Sequence, residues 1–235
     1  MTLTAAKTRI GPGRTLAGGV VALGAAAWVV MAAQHQGDHH HHHAATLTGW
    51  VVMVVAMMLP TALPLFELLR RLGHGVALAM GVYVGAWTAA GAVLVAVDLA
   101  LVRWAQSWAW IAEHPRAPLG ATLMLAGAYQ FSSLKDRCLT ACRSPRGIAL
   151  LHWRGVRPAW QEAAVVAGVY AASCVGCCWL LMATGLLTGA GSLVAMAVLA
   201  AVMAAERLTR LGRVLVRPAG AAALIVGASL LLGAV

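Results

Sequence analysis

The sequence predicts an all-α, polytopic transmembrane bundle of about seven helices, with the N-terminus inside and the C-terminus outside. Three observations carry that expectation. Of the 235 residues, 61% are hydrophobic and only 10% are charged, with a mean hydropathy of +0.82, whereas a soluble domain carries roughly 25% charged residues. Stretches free of Asp, Glu, Lys and Arg recur at 15–37, 39–66, 72–97, 117–134, 163–205 and 218–235, and a crossing helix takes about 20 apolar residues. The stretch 163–205 is too long for one helix and carries the turn signal Thr188-Gly189-Ala190-Gly191-Ser192, so seven spans result. Finally, if the N-terminus is cytoplasmic, 15 of the 17 basic residues fall on that side and only Arg103 and Arg116 on the other, a strong positive-inside pattern.

The expected domain organisation is one integral membrane unit: 1–46 holds the first span and an outer loop, 47–210 the core, and 211–235 the last span. The first span, 16–33, follows Lys7, Arg9 and Arg14. It is longer than a typical signal-peptide apolar region, and Met31 stands where a cleavage site favours a small residue, so an uncleaved helix is expected. The outer loop after it contains five consecutive histidines, His39, His40, His41, His42 and His43. Such a tract reads as divalent-metal binding, and the other reading is a polar linker or an affinity tag.

Span two, 47–69, places Met53 and Met57 four residues apart on one helical face with Met58 beside them, and Pro60 and Pro64 interrupt its inner half. Proline in a membrane helix frees backbone groups that neighbours must satisfy, so a kinked helix inside the bundle is expected. Span three, 75–102, leads to an interfacial belt with Trp104, Trp108 and Trp110. Span four, 117–134, becomes steadily more polar toward Lys135. The segment 147–160 mixes Ile148, Leu150, Leu151, Trp153 and Trp160 with Arg154 and Arg157, the pattern of a surface-lying amphipathic helix. Spans five to seven are expected at 160–187, 193–205 and 218–235.

The five cysteines fall in two groups. Cys138 and Cys142 are four apart, so on a helix both thiols share one side. Cys174, Cys178 and Met182 form an i, i+4, i+8 line, with Cys177 three residues after Cys174. Thiolates and thioethers select Cu(I), zinc or iron–sulfur centres over hard cations, and methionine points toward Cu(I). Copper is therefore the first expected metal and zinc the second, since Cys174 and Cys177 have the spacing of a zinc pair. Buried cysteines and methionines that serve only as apolar filler are the alternative. Cys138 and Cys142 lie near the inner interface and Cys174 deep in span five, so one site, two sites or a relay between them all remain open.

Several classes are excluded or weakened. The basic tracts sit between apolar spans and face anionic headgroups, and no platform for nucleic acid accompanies them. Glu67 beside Arg70 and Arg71 reads as a helix ion pair, and Asp98 and Glu206 sit near span ends as interfacial groups, which disfavours a carboxylate-based proton pump. No phosphate-binding Gly-rich loop, Ser-His-Asp arrangement or His-Glu-x-x-His motif supports hydrolase or ATPase chemistry. The balance leans away from an enzyme.

The ordered motifs Trp50-x-x-Met53-x-x-x-Met57-Met58-Leu59-Pro60, Tyr129-Gln130 with Leu134-Lys135, Cys138-x-x-x-Cys142-Arg143-Ser144-Pro145 and Cys174-x-x-Cys177-Cys178-Trp179-x-x-Met182 resemble a bacterial family of unknown function. Its members are described as predicted metal-binding integral membrane proteins, some of them copper-chaperone-like. The resemblance covers about 50–207 and implies a polytopic fold in the cytoplasmic membrane with these Met and Cys positions as ligands. It implies no reaction.

The expected function is binding of a soft metal ion, copper first, for transport or for exchange with a metal-donating or metal-receiving protein. The alternatives are a thiol–disulfide protein using Cys174, Cys177 and Cys178, and a structural subunit of a larger membrane complex. If His39 to His43 collect metal that then passes Met53, Met57 and Met58 toward the cysteines, replacing all five histidines lowers whole-cell copper uptake or transfer. Unchanged copper handling in that variant discards the funnel.

Overall fold

The computed structural model describes residues 12–37, 46–73, 75–105, 114, 116–188 and 192–233. Among these, every regular element is helical. The tract His39 to His43, Trp108, Trp110 and the turn residues Gly189 to Gly191 lie outside the described residues.

Helix α1 (Pro12–Gly37) and helix α2 (Leu47–Met57) form the first antiparallel neighbours. Thr46 caps α2 by accepting from the Gly49 amide at 3.1 Å, satisfying one of the free donors at a helix start. The expected kink is present. The chain tightens into a 3-10 turn at Pro60–Ala62 and resumes as α3 (Leu63–Arg71), the two halves bent by 47°. Pro60 cannot continue the ladder, and the Thr61 hydroxyl answers by donating to the Met58 carbonyl at 2.7 Å. Glu67 pairs with Arg70 at 2.7 Å and with Arg71 at 3.0 Å, as the sequence predicts.

Helix α4 (Val76–Ala105) is followed by α5 (Ala117–Tyr129), α6 (Ser133–Cys142) and α7 (Pro145–His152). Helix α8 (Ala159–Thr188), α9 (Leu193–Leu208) and α10 (Gly212–Leu231) complete the bundle. Half of the apolar window of α8 is buried, against 11–22% in α1, α4 and α10, so α8 is the central post. It packs against α4, α5, α6, α7 and α9.

Four helices, α1, α4, α8 and α10, are long and apolar enough to cross a membrane, and the bent α2–α3 pair is a fifth candidate. The described residues thus provide up to five candidate crossings where the sequence predicts seven. The stretch 117–134 is not one helix, because the chain turns at Gln130–Ser132 and restarts at Ser133 with Ser132 accepting from the Lys135 amide at 3.1 Å. That leaves α5 with 13 residues, and α9 has 16, or about 20 and 24 Å of helix against a hydrocarbon core of about 30 Å. The last helix also begins earlier than expected, at Gly212, and carries Pro218 inside it. Helix α7 is shorter than the amphipathic segment expected, with Leu150 and Leu151 exposed on it.

The apolar side chains left outside, among them Val29, Val93, Leu125 and Ile225, form the outward face of the long helices. Inside, contacts are close. The Trp50 indole donates to the Trp87 carbonyl at 2.8 Å and lies against Gly91, where a Cβ would stand 2.1 Å from the ring. Helices α5 and α10 approach through two reciprocal glycine contacts, Gly120 with Gly227 and Gly127 with Gly220, the small-residue packing by which apolar helices associate. A Cβ on Gly127 would stand 2.8 Å from the Gly220 carbonyl oxygen and 2.9 Å from the Leu224 amide nitrogen, so backbone rather than a flexible side chain blocks it. Gly127→Val should lower stability by about 1–3 kcal/mol, read as a lower thermal midpoint in detergent. Gly18→Val, which meets nothing within 4 Å, should leave that midpoint nearly unchanged.

Candidate metal centre

The turn at Gln130–Ser132 lays α6 against α8, and this brings the two cysteine groups together. The Cys142 thiol interacts with the thiols of Cys174 and Cys177, Cys174 with Cys178, and the Cys177 and Cys178 sulfurs lie 3.2 Å apart. All four side chains are buried and none is in a disulfide. The depth difference expected between the groups is removed because α6 lies against the middle of α8. Cys138, one turn before Cys142, is half-buried and sits over Gly176, where a Cβ would stand 2.6 Å from its sulfur. It borders the cluster without joining it. Burial pushes the Cys138 thiol up, and the Cys142 thiol is pushed up to about 11, first by its interaction with the neighbouring Cys174 thiol, so a metal arriving at Cys142 at neutral pH displaces a proton.

Polar groups surround the sulfurs. The Tyr83 hydroxyl lies 3.0 Å from Cys174 Sγ and reaches the Met58 carbonyl at 3.3 Å. Arg207, 5% exposed, donates to Thr61 Oγ1, to the Tyr170 hydroxyl at 3.1 Å and toward Met58 Sδ at 3.6 Å. Lys135, 1% exposed, donates to the Cys177 carbonyl at 2.8 Å and to Glu206 Oε2 at 2.7 Å, while Gln130 Nε2 holds Glu206 Oε1 at 2.9 Å. Burial alone would lower the Lys135 ammonium, but Cys178 and Glu206 beside it raise it, so it stays charged. Arg143 closes the corner by donating to the carbonyls of Glu206 and Thr209.

Sequence reasoning placed Glu206 at an interface and Arg207 among the cytoplasmic cations. Both are buried, because α9 ends against α6 and α8. Glu162 is buried too, and accepts from the Arg154 and Arg157 amides at the start of α8. The signal available was the sequence Glu206-Arg207 directly after an apolar run, together with Lys135 beside Gln130. Nothing in one sequence shows that these segments turn inward.

The methionines divide. Met58 joins the cluster through Arg207 and Tyr83, whereas Met53 lies against α8 at Gly185, 3.4 Å from the place of a Cβ there. Met57 and Met182 are buried in the core, Met182 one turn beyond Cys178 on α8. The donors that converge are soft sulfurs, with no carboxylate among them, which fits a thiophilic ion. Among the described residues no three His, Cys, Asp or Glu side chains stand ready to hold a metal ion. The thiols are turned onto one another and onto the Cys174 carbonyl, which Cys177 Sγ approaches at 3.2 Å, so loading requires their χ1 angles to turn. A cleft of about 760 Å³ between α6 and α10, lined in part by Gln130, Lys135, Asp136, Arg213 and Arg217, opens on the Lys135 side.

A model of the family described as PpoB2, copper chaperone, matches residues 47–230, more than half of the chain. The chain belongs to this family. No curated protein and no solved structure matches it.

The Lys135–Glu206 pair is the most deeply buried ion pair of the described residues, at 1% and 0% exposure. Removing one partner leaves the other as an uncompensated buried charge, so Lys135→Met should cost about 3–5 kcal/mol. The double variant Lys135→Met/Glu206→Leu should regain most of that loss in thermal unfolding of the detergent-solubilised chain.

Proposed function

We propose that this member of the copper chaperone family is a multi-pass protein of the bacterial cytoplasmic membrane that holds Cu(I) on two thiolates of the cluster Cys142, Cys174, Cys177 and Cys178 and passes it to a partner protein. The observation that carries the reading is the convergence of four buried thiols from α6 and α8 beside two buried cations. Thiolates in such a setting favour Cu(I), and zinc is the competing ion because the same donors take it. The long apolar helices and their outward apolar faces support residence in a lipid bilayer. An N-terminus inside and a C-terminus outside follow from the Lys and Arg distribution counted over seven spans, which requires α5 and α9 to cross as well.

The two Met positions on the α8 side give the ion a soft approach. Met53 lies against Gly185 and Met182 sits between that level and Cys178, so a metal collected by His39 to His43 meets thioethers before thiols. Cys138, bordering the cluster, is placed to take part in the exchange with a partner.

Metal analysis of the purified chain tests the reading, with His39 to His43 removed so that the tract contributes no metal. About one copper per chain is expected, nearly all of it lost in Cys174→Ser and Cys178→Ser and most of it kept in Cys138→Ser. A zinc-loaded chain identifies the other ion. Metal-free protein with a titratable disulfide among Cys174, Cys177 and Cys178 supports the thiol–disulfide alternative instead.

A further inference from the structure

This inference rests on the thiol cluster as the copper site and concerns the charge of the complex. Lys135 is matched by Glu206 at 2.7 Å. Arg207 is not matched: the groups it donates to, Thr61 Oγ1, the Tyr170 hydroxyl and Met58 Sδ, are all uncharged, and its Nε is buried without a partner. The Tyr170 ring adds only its face, at 6.0 Å. Among the described residues no carboxylate pairs with it. Glu162, the other buried acid, is engaged by backbone amides at 3.3 and 3.4 Å and lies eight residues before Tyr170, about 12 Å along the helix.

A full cation buried among neutral groups is strongly unfavourable unless an anion joins it. The groups that become anionic on binding metal are the thiols, and through the Tyr83 hydroxyl Cys174 reaches the Met58 residue that Arg207 also contacts. We propose that Arg207 is the built-in counter-cation of an anionic copper(I)–thiolate complex and selects a monovalent soft ion over a divalent one. Cu(I) held by two thiolates carries one net negative charge, which Arg207 cancels. Each of the two thiols gives its proton to solvent, copper enters and leaves as Cu(I), and no electron moves. A divalent ion on the same two thiolates is neutral and leaves Arg207 uncompensated.

Competition of the detergent-solubilised full chain against a chromophoric Cu(I) chelator, under anaerobic reducing conditions, tests this with Arg207→Gln and Arg207→Lys. Zn(II) affinity is read in parallel with a chromophoric zinc indicator. Arg207→Gln should weaken Cu(I) on the order of a hundredfold or more, Arg207→Lys should stay within about tenfold of the wild type, and Zn(II) affinity should not fall in the Gln variant. Equal Cu(I) affinity in Arg207→Gln and wild type overturns the inference while leaving the site intact, provided Cys174→Ser still abolishes binding. An equal loss of both metals in Arg207→Gln also overturns it, since that is the mark of a structural role. X-ray absorption on the copper-loaded wild type needs no variant: two sulfur ligands support the charge balance and three or more overturn it. A wild type that binds no Cu(I) removes the proposed function and this inference together.

Discussion

The packing of α6 against α8 is the constraint from which the rest of the interior follows, and the Lys135–Glu206 pair is what holds it. Lys135 is long enough to reach both the Cys177 carbonyl and the Glu206 carboxylate, so one ammonium joins three helices at one point. Arg143 repeats the attachment one end further along, at the carbonyls that close α9. Without these contacts α6 would be a short polar helix at an interface, as its composition suggests. With them, Cys142 is carried to the level of Cys174 and Cys177. The pair contributes modestly to stability compared with an apolar equivalent, and its value lies in the single arrangement it allows.

That arrangement separates two kinds of chemistry over a short distance. Sulfur and tyrosine face the centre, while charge enters from one side through Lys135 and from the other through Arg207. In a core of low dielectric, fixed cations act on any anion formed there far more strongly than they would in water. The thiols supply softness, and the cations decide how much negative charge the site tolerates. Tyr83, between Cys174 and the Met58 carbonyl, ties the sulfur cluster to the bent segment at Pro60, so the proline kink and the site are parts of one hydrogen-bonded unit.

Much of this was legible in the sequence. The absence of charge along the spans gave the helices, Pro60 and Pro64 gave the bend, and the cysteine spacing gave the helix faces, because each is a local property with a fixed period. The shortfall lies where the outcome depends on distant partners. Residues 117–134 read as one span because Gln130 to Ser132 are uncharged, yet Ser132 makes a good helix start and the chain turns there. Glu206 and Arg207 read as interfacial because a charge at the end of an apolar run usually is. The position of α6 brings Lys135 to Glu206 while the bent segment and α8 receive Arg207, and α6 owes its position to Glu206 in turn. Such mutual dependence has no signature within a single segment.

The glycine contacts between α5 and α10 set an order of events. They join helices that stand far apart in the chain, with α6 to α9 made in between, and α6 hangs directly from α5 through the Gln130–Ser132 turn. During synthesis α5 therefore waits without its tightest neighbour until α10 has left the ribosome, and the residues that complete the sulfur pocket, Glu206 and Arg207, emerge only shortly before. The pocket cannot exist on a nascent chain truncated before them. For the proposed copper-holding role this makes loading an event of the finished chain, and a chain stalled during translation carries the thiols without the cations beside them.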